Sequence, residues 1–404
     1  MELPAVHSVT FDRAGHATPP PTFDESAGDF TVDFERDGEP VVAEEDSDPP
    51  PDFAPYNAEH KVMNQRDVVS HDPHLNEDGE ALYRFILSQA NIPPHFSVHC
   101  RGTHTERRSS TNAQGQTTTR HVTVTDFDFR IDLTLLVMRH PMFWTAGDDE
   151  PVHRGEMRRE VGLPGAKQKA QDDVVKSFKN WDTSRDLRGL PPWIGEQYAH
   201  ADHALIMRQP VSDMLRSSWT LRQWADNYCA SNKTLKEFVY AKASRPPSVY
   251  GWNLENLEQT IRNLIASKYQ HNIDIVFQTH LDKVVIRPDT RLSRALSHTW
   301  LKILLIVTLI YPFIWLYKRM SSRGGGRWEV AGAAFALKRW EPVTRDDEYT
   351  GQGIVVNTAV GPRWMLGVSE DDWYRTWADT ILRNVDQKTL YERVINGPDA
   401  PQGT

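Results

Sequence analysis

One apolar stretch, residues 296–317, constrains this chain more than any other part of its sequence. Residues 303–317 contain no charged side chain, although charged residues make up 25% of the chain. A hydrocarbon core of about 30 Å needs about 20 mainly apolar residues in a helix, and the stretch reaches that length only when residues 300–302 are included. We therefore predict a membrane segment at 296–317, with a buried core helix as the alternative.

The flanks of this segment leave its topology open. The two flanks carry equal numbers of basic residues, four between 283 and 294 and four between 318 and 327. The positive-inside rule therefore does not choose an orientation. We expect either a single crossing or a re-entrant segment with both flanks in the cytosol, because a proline gives the helix a place to break. The tryptophans suit the headgroup level and the first lysine can bend back to it. The residues assigned to the membrane segment are Trp300, Lys302, Pro312, Trp315, Lys318 and Arg319.

The acidic balance of the chain belongs to its first 60 residues. The whole chain has a net charge of −9. Residues 1–60 hold 15 acidic residues against only Arg13 and Arg36, a charge of −13, so the remainder is slightly basic. Proline clusters and few large aliphatic residues leave this tail without a core. We predict a disordered acidic tail at 1–60, and the low pI says nothing about the partners of the folded part.

The cysteines and the N-terminus favour a reducing compartment. Cys100 and Cys229 are the only cysteines and cannot form a disulfide framework. The first ten residues are neither apolar nor basic enough for a signal peptide. We expect the block before the apolar stretch to be cytosolic and to lie at an internal membrane.

Period-two alternation predicts a long β-hairpin. Residues 95–107 and 117–137 are extended in pattern, and a polar, turn-forming loop joins them. In the second arm Phe127, Phe129, Ile131 and Leu133 alternate with charged residues, which places them on one face. Because this arm is longer than most soluble strands, we expect a curved sheet or a bulge.

Helix caps and further strands complete an α+β pattern. Thr220 and Gln223 form a capping box, Asn253 caps a second amphipathic helix, and residues 236–242, 273–277 and 283–287 have strand patterns. We expect the last of these strands to pair back on the one before it. The fold class predicted is α+β, an antiparallel sheet with packed helices at 61–295, followed by one transmembrane or re-entrant helix.

The region at 318–404 is predicted to be small and rich in tryptophan. The three glycines at 324–326 have no following lysine to hold a phosphate and are interpreted as a hinge. Burial in a core is the ordinary explanation for the tryptophans, and docking on the membrane is the alternative. The five tryptophans concerned are Trp328, Trp340, Trp364, Trp373 and Trp377.

A group of metal-ligand side chains occurs on the first arm of the hairpin. His95, His99 and His104, with Cys100 beside them, offer imidazole and thiolate ligands of the kind that zinc and copper prefer. Their spacing matches no zinc motif, so a polar strand face with a buried cysteine is the competing interpretation. Three carboxylates on the second arm are a cation patch or, more simply, a solvated face: Asp126, Asp128 and Asp132.

Several enzyme classes lack their sequence motifs here. The chain has no phosphate loop, no dinucleotide-binding glycine motif, no nucleophile elbow and no zinc-protease motif. We therefore predict no cofactor, and we expect membrane lipids and a protein as partners, and no nucleic acid.

Three segments carry a resemblance to a known group of proteins. TVTDFDFRIDL (123–133), YGWNLENLEQTIRNLI (250–265) and RPDTRLSRALSHTWLKILLI (287–306) resemble a family of uncharacterised membrane proteins of filamentous fungi. The resemblance implies a membrane location and brings no catalytic residue or ligand. Some members carry automatic "ABC transporter" labels, which do not transfer, because such an ATPase needs a phosphate loop.

Together these observations predict a membrane-anchored, non-enzymatic protein that presents a cytosolic domain to a lipid or protein partner. A membrane-bound metal-dependent enzyme using the histidine group is one alternative. An accessory subunit of a transporter is another.

Overall fold

The computed structural model describes residues 54–63, 67–111, 117–200, 214–242, 249–343, 355–358, 361–390 and 393–398. Most of the predicted disordered tail, residues 1–53, therefore lies outside the described residues. Its last part is ordered, because Ala58 is buried and a strand begins at His60. Ala54 and the residues after it belong to one compact unit.

Eight α-helices and seventeen strands occur in the described residues. The helices are α1 (Gly79–Ala90), α2 (Asp172–Leu187), α3 (Leu221–Cys229), α4 (Leu254–Ala266), α5 (Arg291–Ser297), α6 (Thr299–Val307), α7 (Tyr311–Met320) and α8 (Glu370–Asp386). The strands are β1 (His60–Met63), β2 (Asp67–Ser70), β3 (His95–Thr111), β4 (Thr117–Asp132), β5 (Met142–Thr145), β6 (Glu160–Val161), β7 (Gln168–Lys169), β8 (Leu235–Ala241), β9 (Val249–Tyr250), β10 (Asn272–His280), β11 (Lys283–Ile286), β12 (Gly325–Trp328), β13 (Ala331–Ala336), β14 (Lys338–Pro342), β15 (Val355–Thr358), β16 (Gly361–Gly367) and β17 (Arg393–Ile395).

The larger sheet has eight strands and is built around β8. Its order is β1-β2-β11-β8-β13-β5, with β12 also beside β8 and β9 beside β13. Strand β11 is antiparallel to β8, whereas β12 and β13 run parallel to it. The α+β class is confirmed, but the prediction of a purely antiparallel sheet is wrong, because strands distant in sequence return to β8 in parallel.

The short strand β11 does not pair back on β10 as predicted. Strand β10 pairs with β3, and a tight turn at Leu281, with φ of +59°, sends the chain into the other sheet. There β11 lies between β2 and β8. Local sequence pattern marks a strand but carries no information on its partner, which long-range packing decides.

The second sheet confirms the predicted hairpin. Strands β3 and β4 are antiparallel within a four-stranded sheet, β10-β3-β4-β17, and the expected bulge shifts their register at Gly102 and Thr103. Asp126 is the extra residue of β4, since Phe127 pairs with Gly102 and Thr125 with Thr103. A Cβ on Gly102 would lie 2.1 Å from the Phe127 ring, so glycine is required where the ring crosses the strand.

The apolar face of β4 lies in a core shared by both sheets. Phe127, Phe129, Ile131 and Leu133 are fully buried. Helix α4 packs on this sheet as predicted, and its partner is the C-terminal helix α8. Helix α3 packs instead against α1 and the larger sheet, where the Tyr228 ring meets that of Trp328. The capping residues predicted for α3 and α4 are confirmed.

The residues after the apolar stretch do not form a region of their own. Strands β12 and β13 join the larger sheet, β17 joins the smaller one, and α8 packs on α4. The expected boundary between 61–295 and 318–404 therefore does not divide the described fold, and the expected glycine hinge contributes Gly325 and Gly326 to β12. Trp328, Trp373 and Trp377 are buried, which supports the core explanation for them, and Trp340 and Trp364 are half-buried.

Replacing Phe129 with alanine is expected to destabilise the protein by about 3–5 kcal/mol, because the side chain is fully buried among packed neighbours. Chemical denaturation of the full chain in detergent measures this. The matched variant Val276→Ala, at a position 40% exposed on β10 of the same sheet, should change stability little. A small loss for Phe129→Ala would argue that a cavity, such as a lipid site between helix and sheet, replaces the packed core.

Candidate membrane-binding surface

Helices α6 and α7 expose an apolar surface that the rest of the described chain does not cover. Neither helix has a single buried residue. Val307 and Phe313 are each 73% exposed, Leu309 is 69% exposed and Trp300 65% exposed. Soluble proteins rarely leave a contiguous apolar patch of this kind uncovered. The alternative of a buried core helix at 296–317 is therefore wrong.

The apolar stretch is also not one helix. Within the described residues no single helix has the length and hydropathy to cross a bilayer. Helices α6 and α7 reach the necessary length and hydropathy only when they are taken together. Their axes differ by 101°. Pro312 lies in the first turn of α7, where its missing amide is harmless, so the break comes just before it.

The turn between the two helices satisfies its own backbone amides. The amide of Ile310 donates to the Leu305 carbonyl and that of Leu309 to the Ile306 carbonyl, the pattern of a Schellman motif. The hydroxyl of Thr308 donates to the Leu304 carbonyl over 2.8 Å. These bonds allow the apex to enter hydrocarbon without unpaired amides at these positions.

Leu309 occupies the position in this motif where glycine is usual. Its φ is +59°, which costs an L-residue roughly 1–2 kcal/mol. The strain places an apolar side chain at the apex, where it is 69% exposed. The apex therefore presents an apolar side chain where glycine would be less strained.

Close packing against β12 fixes the base of the helix pair. Gly325 leaves room for the Lys318 side chain, which lies 2.2 Å from where a Cβ would be. The Lys318 ammonium then donates to the Glu237 carboxylate of β8 over 2.9 Å. Burial alone would raise the pKa of Glu237, but Arg287 and Lys318 beside it lower that pKa and keep the carboxylate charged. The glycines at 324–326 thus permit close approach, and they do not act as a hinge.

The strands on either side of the helix pair are neighbours of the same strand. Ile286 of β11 and Trp328 of β12 both lie opposite Phe238 of β8, on its two edges. The chain therefore leaves the larger sheet, forms the apolar pair and returns to the same sheet.

The predicted membrane residues occupy both ends and the break of this pair. Trp300 is exposed at the outer end of α6, and Trp315 is exposed in the middle of α7. The Lys302 ammonium lies 5.6 Å from the centre of the Tyr311 ring, and the Arg319 guanidinium lies 5.5 Å from that of Trp315. Each cation therefore has an aromatic ring beside its charged group, an arrangement that stabilises the charge.

The structure does not bring the predicted metal ligands together. His95 and His99 lie on the face of β3 opposite to the core, whereas His104 has the other parity and lies on the core side. His95 is exposed and pairs across the strands with His280. Among the described residues no group of three or more histidine, cysteine or acidic side chains could hold a metal ion.

Each predicted carboxylate has a local partner. Asp128 binds His99 over 2.7 Å, and Asp132 accepts the Thr134 amide. The bulge turns Asp126 toward the helices, where its Oδ2 accepts from His104 Nδ1 and from the Tyr269 hydroxyl, both over 2.6 Å. The three carboxylates are thus held singly and form no shared cation site.

These contacts shift two pKa values in opposite directions. Hydrogen bonds to Asp126 and then to Glu106 raise the pKa of His104. Burial alone would raise the pKa of Asp126, but the hydrogen bonds from Tyr269 and His104 outweigh it and lower the pKa. The favoured state is therefore an imidazolium beside a carboxylate.

The cysteines are unsuited to nucleophilic or redox chemistry. Burial raises the pKa of Cys100 and of Cys229 to about 12 in each case. Thiols with such values are almost fully protonated near neutral pH.

A cavity of about 350 Å³ lies between α2 and the larger sheet, and the sequence analysis does not predict it. Its charged lining is mostly paired: Asp182 binds Arg185, and Glu150 accepts from Arg216. Asp182 and Arg185 are three residues apart on a helix, a spacing typical of solvated pairs, so the sequence carries no sign of a cavity.

In comparisons with known proteins, no family model, curated protein or solved structure matches this chain. The resemblance to the fungal membrane proteins therefore stays a prediction.

Because the folded protein binds the His104 proton more tightly than the unfolded chain does, His104 should stabilise the fold below about pH 6.5. That contribution should fade as the pH rises through the raised pKa. Denaturation of wild type and His104→Gln across this range measures the difference, with His95→Gln as an exposed control. A difference between wild type and His104→Gln that is constant with pH would contradict the assignment.

Proposed function

We propose that this protein is a monotopic membrane protein, whose folded domain lies on one face of a bilayer while α6 and α7 insert into the leaflet beside it. The exposed apolar surface of these two helices carries the proposal. It gives the chain a lipid-binding surface and assigns it no catalytic step. The domain is then a membrane-anchored binding module on the cytosolic face of an internal membrane.

The lengths of the two helices favour insertion into one leaflet. They have nine and ten residues, which correspond to roughly 14–15 Å each at 1.5 Å per residue. Because the two axes differ by 101°, the helices cannot both lie along the membrane normal, so the apex is shallower than either length and stays within half of a hydrocarbon core of about 30 Å. The satisfied amides at the apex support insertion, since unpaired backbone groups are costly in hydrocarbon.

The sheet opposes a single crossing of the membrane. A crossing between β11 and β12 would put two neighbours of β8 on opposite sides of the bilayer, and the larger sheet would have to break. The re-entrant alternative keeps both flanks on one side and the sheet intact.

The two other hypotheses gain less support. A metal-dependent enzyme has no assembled ligand set here, because His104 lies on the opposite face from His95 and His99. An accessory transporter subunit stays a prediction that co-purification with a polytopic protein would test.

Two charges on the apolar pair should abolish membrane binding. Val307 and Phe313 each contribute about 1.5–3 kcal/mol when buried in lipid, so Val307→Asp with Phe313→Asp should weaken binding to vesicles about 100-fold or more. Flotation of the full chain with liposomes measures this. Leu135→Asp, at a position 88% exposed away from the pair, is the matched control. Flotation of the double variant at the wild-type level would refute the proposal.

Both flanks of the pair should lie on one side of the membrane. Arg291→Cys and Arg323→Cys place a thiol at exposed positions before and after the pair. In sealed vesicles with the domain outside, an impermeant maleimide should label both without permeabilisation. The native thiols give little background, because burial raises their pKa to about 12. Labelling of the second thiol only after permeabilisation would indicate a crossing instead.

A further inference from the structure

The segments around the helix pair are strongly basic. Residues 287–323 contain seven lysines and arginines and one acidic residue, Asp289, whereas the chain after residue 60 as a whole is only slightly basic. Arg294 already binds that aspartate. These basic residues lie both in the segment that leads into the apolar pair and in the segment that follows it.

Most of these cations have no carboxylate to neutralise them. Lys318 and Arg287 share the single carboxylate of Glu237, at 2.9 and 3.5 Å. Among the residues that the structure describes, Lys302 and Arg319 have no carboxylate partner, and each has an aromatic ring beside its charged group. The surface thus retains positive charge after its internal ion pairs are counted.

A groove gathers part of this charge at the junction of helix pair and sheet. It encloses about 100 Å³, and it lies between β8 and the two helices. Its lining includes Lys302, Tyr311, Trp315 and Lys318. Cations with aromatic rings beside them are the side chains that suit the headgroup level of a bilayer.

The insertion proposed above brings the outer ends of the helix pair to the headgroups. Because the pair is bent by 101°, its apex stays in the same leaflet while the start of α6 and the end of α7 reach the edge of the hydrocarbon. Arg319 near the end of α7 then lies beside the headgroups, and Lys302, the fourth residue of α6, lies in the groove beside Tyr311.

We propose that this surface selects membranes rich in anionic phospholipids, whose headgroups bind at Lys302 and Arg319. The inference rests on the insertion proposed above and adds the lipid class to it. The occupant is a lipid in a bilayer, because the groove adjoins the apolar pair and Lys302, which lines it, has no carboxylate partner among the described residues.

The test is flotation of the full chain with vesicles of phosphatidylcholine, with and without phosphatidylserine, at low and high salt. Phosphatidylserine should strengthen binding, and salt should weaken that gain. Lys302→Gln with Arg319→Gln should lose about fivefold per cation on the anionic vesicles, with little change on phosphatidylcholine. Lys176→Gln with Lys268→Gln, two exposed positions away from the pair, removes the same charge and should have little effect.

The outcomes of this test distinguish lipid selectivity from membrane insertion. Equal binding to both vesicle types, or equal losses in both double variants, would overturn the lipid selectivity and leave insertion intact. Failure to float with either vesicle would overturn insertion itself. Unchanged thermal unfolding of the variants verifies that folding is not the cause.

Discussion

The structure depends on the position of β8 between strands from both sides of the apolar pair. Phe238 faces Ile286 on one edge and Trp328 on the other, and the Tyr228 ring of α3 packs against Trp328 and Phe238. This arrangement buries large side chains from distant parts of the sequence, and such burial is the main stabilising term in folding. It also fixes both ends of the apolar pair to one sheet. The pair is therefore an excursion from a closed domain and does not link two domains.

A charged contact and a set of glycines fix the base of the helix pair α6 and α7. Glu237 stays ionised because Arg287 and Lys318 surround it, and a partly buried carboxylate without them would be costly. The glycines at 324–326 let the end of α7 lie against β12 at distances that a side chain would forbid. At the opposite end the apex is strained at Leu309 but satisfied in its hydrogen bonds. The base of the pair is therefore polar and closely packed, and its tip is apolar and exposed.

Features with a local cause were predictable from the sequence, and features set by distant contacts were not. The cap of α3 at Thr220, the alternation of β4 and its bulge follow from neighbouring residues. The partner of β11, the strand at Gly325 and the C-terminal helix over β4 depend on which distant surfaces meet. The histidine hypothesis was wrong for a simpler reason, since strand parity separates His104 from His99. The apolar stretch was visible in composition, but the turn at Leu309 was not, because a leucine in a left-handed conformation has no sequence signature.

The return of the chain to β8 has a consequence for how the protein is made. Strands β12 and β13 are synthesised after the apolar pair, so the larger sheet cannot close while the pair is leaving the ribosome. For that interval one edge of β8 and the apolar helices are both uncovered, and each is a surface on which nascent chains aggregate. Sheet closure removes the first hazard, whereas the second persists for as long as the apolar surface of the pair is uncovered. The helix pair therefore needs a covering surface or a chaperone even after the domain has folded.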